Sequence, residues 1–215
     1  MIQENFIKYI ENSLKENWEL PALTDYQGES LMYKDVARKV AKIHIMFEEC
    51  EVKKGDKIAL IGKNSANWAV TYLAIISYGA TVVPILPDFH PDDVHHIVNH
   101  SDSIVLFAGA QIWENLDESS MPNLRAIFSL TDFTILIEGN KEKITTVYNK
   151  LHEYYEDLYP GGITPEKLSF DEVSKEEVGV LNYTSGTTGC SKVFVLPLHS
   201  LDANLRSLRQ NYSSQ

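Results

Sequence analysis

From Asn64 to Pro87 the chain carries no charged side chain, and what interrupts those 24 residues decides what it can fold into. By length alone the run could cross a bilayer, which takes about 20 apolar residues. Its punctuation argues otherwise. Ser65 can accept a hydrogen bond from the first turn of a helix, Gly79 can close that helix in the left-handed conformation, and Pro84 would break a continuous helix. The stretch therefore splits into a helix with Trp68, Tyr72, Ile75 and Ile76 on one face, a turn, and the strand Thr81-Val-Val-Pro-Ile. Just before it, Val52-Lys-Lys-Gly-Asp-Lys reads as a turn. Ile58-Ala-Leu-Ile-Gly is then a continuous apolar run of the kind shown by a strand buried on both faces. A strand, helix and strand in this order predict a parallel sheet rather than a membrane span.

The same rhythm recurs on both sides. Pro91 opens a helix with Asp92 and Asp93 in its first turn and Val94, Ile97 and Val98 inward, and Ile104-Val-Leu-Phe-Ala is the next strand. Upstream, Phe6, Ile10, Leu14 and Trp18 form one stripe of a helix over residues 4–18. Two short strands turn at Gly28, and a second helix carries Val36, Val40, Ile43 and Phe47. Downstream, Gln111–Leu116 reads as a short helix and Leu124–Leu130 as a strand. Ile144, Val147, Leu151, Tyr154 and Leu158 mark another amphipathic helix, whose Tyr154 and Tyr155 are read as packing residues. Tyr159-Pro-Gly-Gly-Ile-Thr-Pro is the clearest linker, and Ser200 is placed to cap a last helix with Leu201, Leu205 and Leu208 inward. The expected fold is α/β, a mostly parallel sheet with helices on both faces. Its expected organisation is an N-terminal subdomain at 1–158, a linker at 159–177, and the incomplete start of a further subdomain at 178–215.

The net charge of −11, with an isoelectric point near 5.0, argues against nucleic acid or an anionic membrane as partner, so any anion site must be locally positive. Cys50 and Cys190 have no metal-type spacing, and the first residues lack the basic and apolar regions of a secretory signal. These features point to a reducing compartment, the cytoplasm. His90, His95, His96 and His100 cluster in the stretch around the helix that Pro91 opens. His96 and His100 have the spacing of a metal pair, but no third ligand is evident, and a solvated helix face is the reading preferred.

Chemistry concentrates in Tyr183-Thr-Ser-Gly-Thr-Thr-Gly-Cys-Ser-Lys192. Thr184, Ser185, Thr187 and Thr188 supply hydroxyl donors, Gly186 and Gly189 let backbone N–H groups turn toward one ligand, and Lys192 adds a point charge. These are the groups that hold phosphate. The flanking runs Val178–Tyr183 and Val193–Leu196 are both strand-like, so the loop joins strand to strand. A Walker A loop requires Gly-Lys-Ser/Thr opening a helix, whereas here two residues separate Gly189 from Lys192.

Tyr-Thr-Ser-Gly-Thr-Thr-Gly-x-x-Lys resembles the phosphate-binding signature of the acyl-adenylate-forming (AMP-binding) enzymes, which include acyl-CoA synthetases, peptide-synthetase adenylation domains and luciferases. The order Leu31-Met-Tyr-Lys-Asp-Val, Val52-Lys-Lys-Gly-Asp-Lys-Ile-Ala-Leu, Asn64-Ser-Ala-Asn-Trp and Gly79-Ala-Thr-Val-Val-Pro-Ile extends the resemblance to the opening part of the acyl-CoA synthetase large domain. Two positions depart from the pattern: Ser191 stands where proline is usual and Val193 where glycine follows the lysine. Either Val193 crowds the phosphate site or the strand begins one residue early.

The resemblance implies ATP, Mg²⁺ and coenzyme A. It also implies activation of a carboxylate, a fatty acid by the look of Lys141–Leu158, as acyl-AMP before thioester formation. Thr184, Ser185, Gly186, Thr187, Thr188, Gly189 and Lys192 are then the nucleotide-binding residues. An amino-acid adenylating domain, and a non-catalytic nucleotide-binding or interaction module on the same scaffold, are the alternatives. Because one strand and one helix follow the loop, the chain as given is expected to be a fragment without adenylating activity of its own.

Overall fold

The computed structural model describes residues 5–138, 148–184 and 192–203. Its organising unit is the one that the uncharged run announces. Strand β3 (Lys57–Ile61) leads to helix α3 (Ala66–Tyr78), and β4 (Thr81–Ile85) returns parallel to β3 in unbroken register. Ser65 Oγ accepts from the Trp68 amide at 3.1 Å, and Gly79 closes the helix at φ 87°. A Cβ at Gly79 would lie 2.9 Å from Val173 Cγ2, so both backbone conformation and space call for glycine there. Among the described residues no helix is long and apolar enough to cross a membrane.

Five further strands complete the main sheet: β5 (Ser103–Ala108), β6 (Ala126–Ser129), β7 (Ile135–Glu138), β8 (Val178–Thr184) and β9 (Lys192–Pro197). The spatial order is β7-β6-β5-β3-β4-β8-β9. The inner strands β6, β5, β3, β4 and β8 run parallel, while β7 and β9 pair antiparallel at the two edges. The sequence reading passed over β7, a short apolar run that closes the β6 edge. Helices α1 (Phe6–Glu16), α2 (Tyr33–Glu49), α4 (Pro91–His100), α5 (Ala110–Trp113) and α6 (Leu151–Leu158) flank the sheets, and β1 (Pro21–Thr24) pairs with β2 (Ser30–Met32) in a separate hairpin.

After β3 the chain steps to β4 on one side and then crosses back to β5 on the other. With right-handed crossovers, this reversal puts α3 and α4 on opposite faces. The core divides accordingly. Ile58 and Leu60 of β3, with Val105 and Phe107 of β5, pack under α1, α2 and α3. The alternate residues Ala59, Ile61, Leu106 and Ala108 pack under Val94, Ile97 and Val98 of α4. The period-two alternation of a strand thus serves two cores at once.

Among the described residues, one charged side chain is buried. Glu11 of α1 is 1% exposed and is held by Lys8 Nζ at 2.8 Å, Lys15 Nζ at 2.6 Å and the amide of Phe170 at 3.0 Å. Burial alone would raise its carboxyl, but the two lysines and the amide outweigh burial and hold it below its ordinary value. This cluster ties α1 to the stretch 159–177. That stretch carries no strand or helix, yet it buries Ile163, Leu168, Phe170 and Val173 in the core. The last described residues, 198–203, are helical, and the helix begins at Leu198 rather than after a Ser200 cap. The amides of Leu198 and His199 donate to the carbonyls of Glu177 and Lys175, each at 2.9 Å, so the helix start is satisfied by backbone and needs no serine.

Candidate phosphate-binding site

The strand-loop-strand expectation holds at its base. β8 and β9 are antiparallel, with Tyr183 opposite Val193 and Thr184 opposite Lys192. Directly opposed residues have side chains about 5 Å apart, so the first hydroxyl and the lysine of the motif are neighbours across the hairpin. Ser185, Gly186, Thr187, Thr188, Gly189, Cys190 and Ser191 lie outside the described residues. Because β8 runs parallel to β4, Thr184 stands at the same carboxyl edge of the sheet as the ends of β3, β4 and β5. Open α/β sheets place ligands outside that edge, where the strand order reverses.

Tyr183 anchors this end of β8. It is 3% exposed, its ring meets that of His100 edge-on at 5.8 Å, and its Oη lies 2.8 Å from His100 Nδ1 at the end of α4. Burial, with the charge of Asp102 as a smaller contribution, pushes the phenol above its ordinary value, so it stays a neutral hydroxyl. Sequence reasoning missed this pair. The two residues are 83 positions apart, and in the sequence His100 groups with its helical neighbours instead.

The other chemical candidates resolve differently. His96 and His100 face each other at 5.5 Å between ring centroids, but His100 is engaged with Tyr183 and His95 Nε2 accepts from the Asp117 amide at 3.0 Å. Among the described residues no three His, Cys, Asp or Glu side chains are grouped to hold a metal ion. Cys50 is buried, and burial pushes its thiol up to about 12, which leaves it unreactive.

Past the loop the hairpin is bare. Lys192 is exposed and makes no ion pair with a described residue, and Val193, Phe194 and Val195 are 36%, 52% and 55% exposed on the outermost strand. Among the described residues, this arrangement offers a cation, Lys192, and a hydroxyl, Thr184, side by side at a sheet edge.

Residues 10–214 match the AMP-binding enzyme family. The chain belongs to that family. Curated relatives of this AMP-binding chain include surfactin synthase subunit 1 of Bacillus subtilis, 26% identical over 191 residues, a match covering 89% of this chain and 5% of that protein. They also include the long-chain-fatty-acid–CoA ligase of Salmonella typhimurium, 27% identical over 178 residues, covering 75% of this chain and 31% of that one. Among solved structures, a long-chain-fatty-acid-CoA ligase from Archaeoglobus fulgidus superposes with a TM-score of 0.71 at 20% identity, covering 96% of this chain and 39% of the ligase. An anthranilate CoA ligase bound to anthranoyl-AMP superposes at 0.70 with 19% identity, covering 90% and 34%. The fold is that of the N-terminal part of such ligases, and the chain spans about a third of the length of the CoA ligases it matches.

Proposed function

We propose that the AMP-binding chain forms the N-terminal part of an ATP-dependent acid–thiol ligase that activates a carboxylate, a fatty acid by preference, as its acyl-adenylate and passes the acyl group to coenzyme A. The observation that carries this reading is the meeting of Thr184 and Lys192 across the β8–β9 pair at the carboxyl edge of the parallel strands. The residues present suit a triphosphate. Lys192 is exposed and without a described carboxylate partner, Thr184 offers a hydroxyl beside it, and the loop between them has the composition to turn backbone N–H groups inward. Ser185, Gly186, Thr187, Thr188 and Gly189 complete the proposed set, and Mg²⁺ would accompany the ATP phosphates. The long-chain ligases among the relatives support the fatty-acid preference. The surfactin synthase relatives support the second reading, adenylation of an amino acid.

Replacing Lys192 by alanine in the full-length protein that carries this chain removes one charge-assisted hydrogen bond and is expected to weaken ATP use by about 1.5–3 kcal/mol. ATP-pyrophosphate exchange with a panel of fatty acids and amino acids measures this and separates the two substrate readings. Exchange unchanged by Lys192→Ala would refute the assignment of the lysine.

A further inference from the structure

Away from the phosphate loop, a cavity of about 750 Å³ lies between α2, the β1–β2 hairpin, the turn after β6 and the start of α6. One wall is cationic: Arg38, Lys39 and Lys42 all come from α2. Arg38 is matched by Asp35 at 3.1 Å, but neither lysine has a carboxylate within ion-pair distance among the described residues. The Lys39 ammonium instead sits 3.3 Å from Asn67 Oδ1 and 5.3 Å from the centre of the Phe133 ring, while the Lys42 ammonium lies 5.2 Å from the centre of the Tyr155 ring. Burial, with the charge of Lys42 added to it and that of Asp35 partly offsetting both, holds Lys39 below its ordinary value. A half-buried ammonium whose partners are an amide oxygen and a ring is under-compensated relative to water.

The partners are fixed in place. Asn67 donates to the carbonyls of Leu130 at 2.9 Å and Thr131 at 2.8 Å, which aims its oxygen at Lys39. Phe133 adopts φ 61°, a conformation that bulky side chains rarely take, and its amide is tied to the Ser129 carbonyl at 2.9 Å. The acidic residues of the cavity are largely committed elsewhere: Asp35 to Arg38 and the Met32 amide, Asp132 to the amide and hydroxyl of Thr134. Glu29 is exposed at the rim. Leu31, Ile43, Met46 and Phe133 supply an apolar surface beside the two lysines.

We propose that this cavity is a second ligand site, which binds a small organic anion, a carboxylate or phosphate monoester, with its charged head against Lys39 and Lys42 and its aromatic or aliphatic body along Leu31, Met46 and Phe133. The site is separate from Thr184 and Lys192 and does not depend on what the loop binds. Its size suits a small metabolite, an ordinary pocket occupant.

Amide-shift titration of the 215-residue chain with phenyl phosphate, benzoate, inorganic phosphate and phenol tests the proposal. Phenyl phosphate or benzoate should shift the amides of residues 30–46 and 131–134 with a dissociation constant of about 1 mM or tighter, and whichever binds more tightly identifies the head group. Phenol, which keeps the ring and lacks the charge, should not bind there, and inorganic phosphate should bind more weakly than phenyl phosphate. The double variant Lys39→Met, Lys42→Met should weaken binding at least about tenfold, Lys39→Arg should retain it, and Lys192→Ala should leave it unchanged. The phenol comparison uses the unmodified chain and stands even where the double variant loses its fold. Absence of these shifts at about 10 mM, phenol binding as well as phenyl phosphate, or binding unaffected by loss of both lysines would overturn the proposal.

Discussion

The β3-α3-β4 unit and the β8–β9 hairpin are both parts of one sheet, but they differ in how many independent contacts hold each residue. Ile58, Leu60, Val70, Ile75 and Val82 are fully buried between sheet and helices, and removing any one leaves a void that neighbours cannot fill. Lys192, Phe194 and Val195, by contrast, lie on the outermost strand and have neighbours on few sides. Thr184 and Lys192 at the base of the phosphate loop therefore stand where packing constrains a residue little, and these five core residues touch no candidate ligand. A binding edge needs accessible donors, and accessibility and dense packing exclude each other.

The sharpest way to break this contrast is to truncate one residue from each region. Ile75→Ala should lower the stability of the 215-residue chain by about 3–4 kcal/mol, through lost transfer free energy and a residual cavity under α3. Val195→Ala, at a position 55% exposed, should change it by no more than about 0.5 kcal/mol. Chemical denaturation of both variants checks the pair, and similar losses would show that the hairpin is as firmly packed as the body.

The second test acts on the α2–α3 seam through pH. His44 Nε2 donates to the Ala74 carbonyl at 2.9 Å and lies 3.1 Å from Ser77 Oγ, with Phe47, Tyr78 and Phe170 around the ring. Burial, opposed by the Ala74 hydrogen bond and the charge of Asp171, pushes the imidazole down to about 4. The unfolded chain, with an ordinary histidine, binds this proton first as pH falls. Stability is therefore lost between about pH 6.5 and pH 4 and flattens below that, by up to roughly 3 kcal/mol less what the ring's remaining exposed edge recovers. His44→Gln, which keeps a donor and cannot titrate, should remove this part of the acid dependence. Glu11 adds a separate loss at lower pH, since its carboxyl is held below the ordinary value and its contribution disappears as the carboxyl is protonated.

The body was legible in the sequence because its signals are local. Ser65, Gly79 and Pro91 punctuate elements within a few residues of where they act, and the apolar runs at 58–62 and 104–108 can only be buried strands in such a context. The ends of the phosphate hairpin were legible for the same reason. What was not legible depends on contacts between distant segments. Nothing local marks Glu11 as buried, because one of the groups that hold it there, the Phe170 amide, lies 159 residues away. Ser200 reads as a cap until the carbonyls of residues 175 and 177 take the helix's first amides. His100 reads as one of a helical cluster until β8 brings Tyr183 against it.

That last contact is the next test. Tyr183→Phe keeps the buried ring and deletes the hydroxyl facing His100 Nδ1, and it should cost about 1 kcal/mol, the net value of a typical hydrogen bond. If β8 is held mainly by its ladder with β4 and β9, hydrogen exchange should rise only locally, at residues 181–184. A loss above about 3 kcal/mol would mean that the His100 contact organises the whole edge of the sheet.

The last test is at Val193, a branched residue at the position where the motif resemblance leads one to expect glycine. In the structure Val193 is already inside β9, opposite the buried Tyr183, and it is 36% exposed. A residue in extended backbone gains nothing from the conformational freedom of glycine, and glycine in a strand weakens it. Val193→Gly is therefore expected to lower stability by about 0.5–1 kcal/mol. Pyrophosphate exchange by the full-length protein should stay the same. A rise in exchange would show instead that the branched side chain crowds the nucleotide's approach to Lys192, and that the neighbouring strand position limits the site. A clear loss would show that the valine itself contributes to binding, which neither its exposure nor its place opposite Tyr183 leads one to expect.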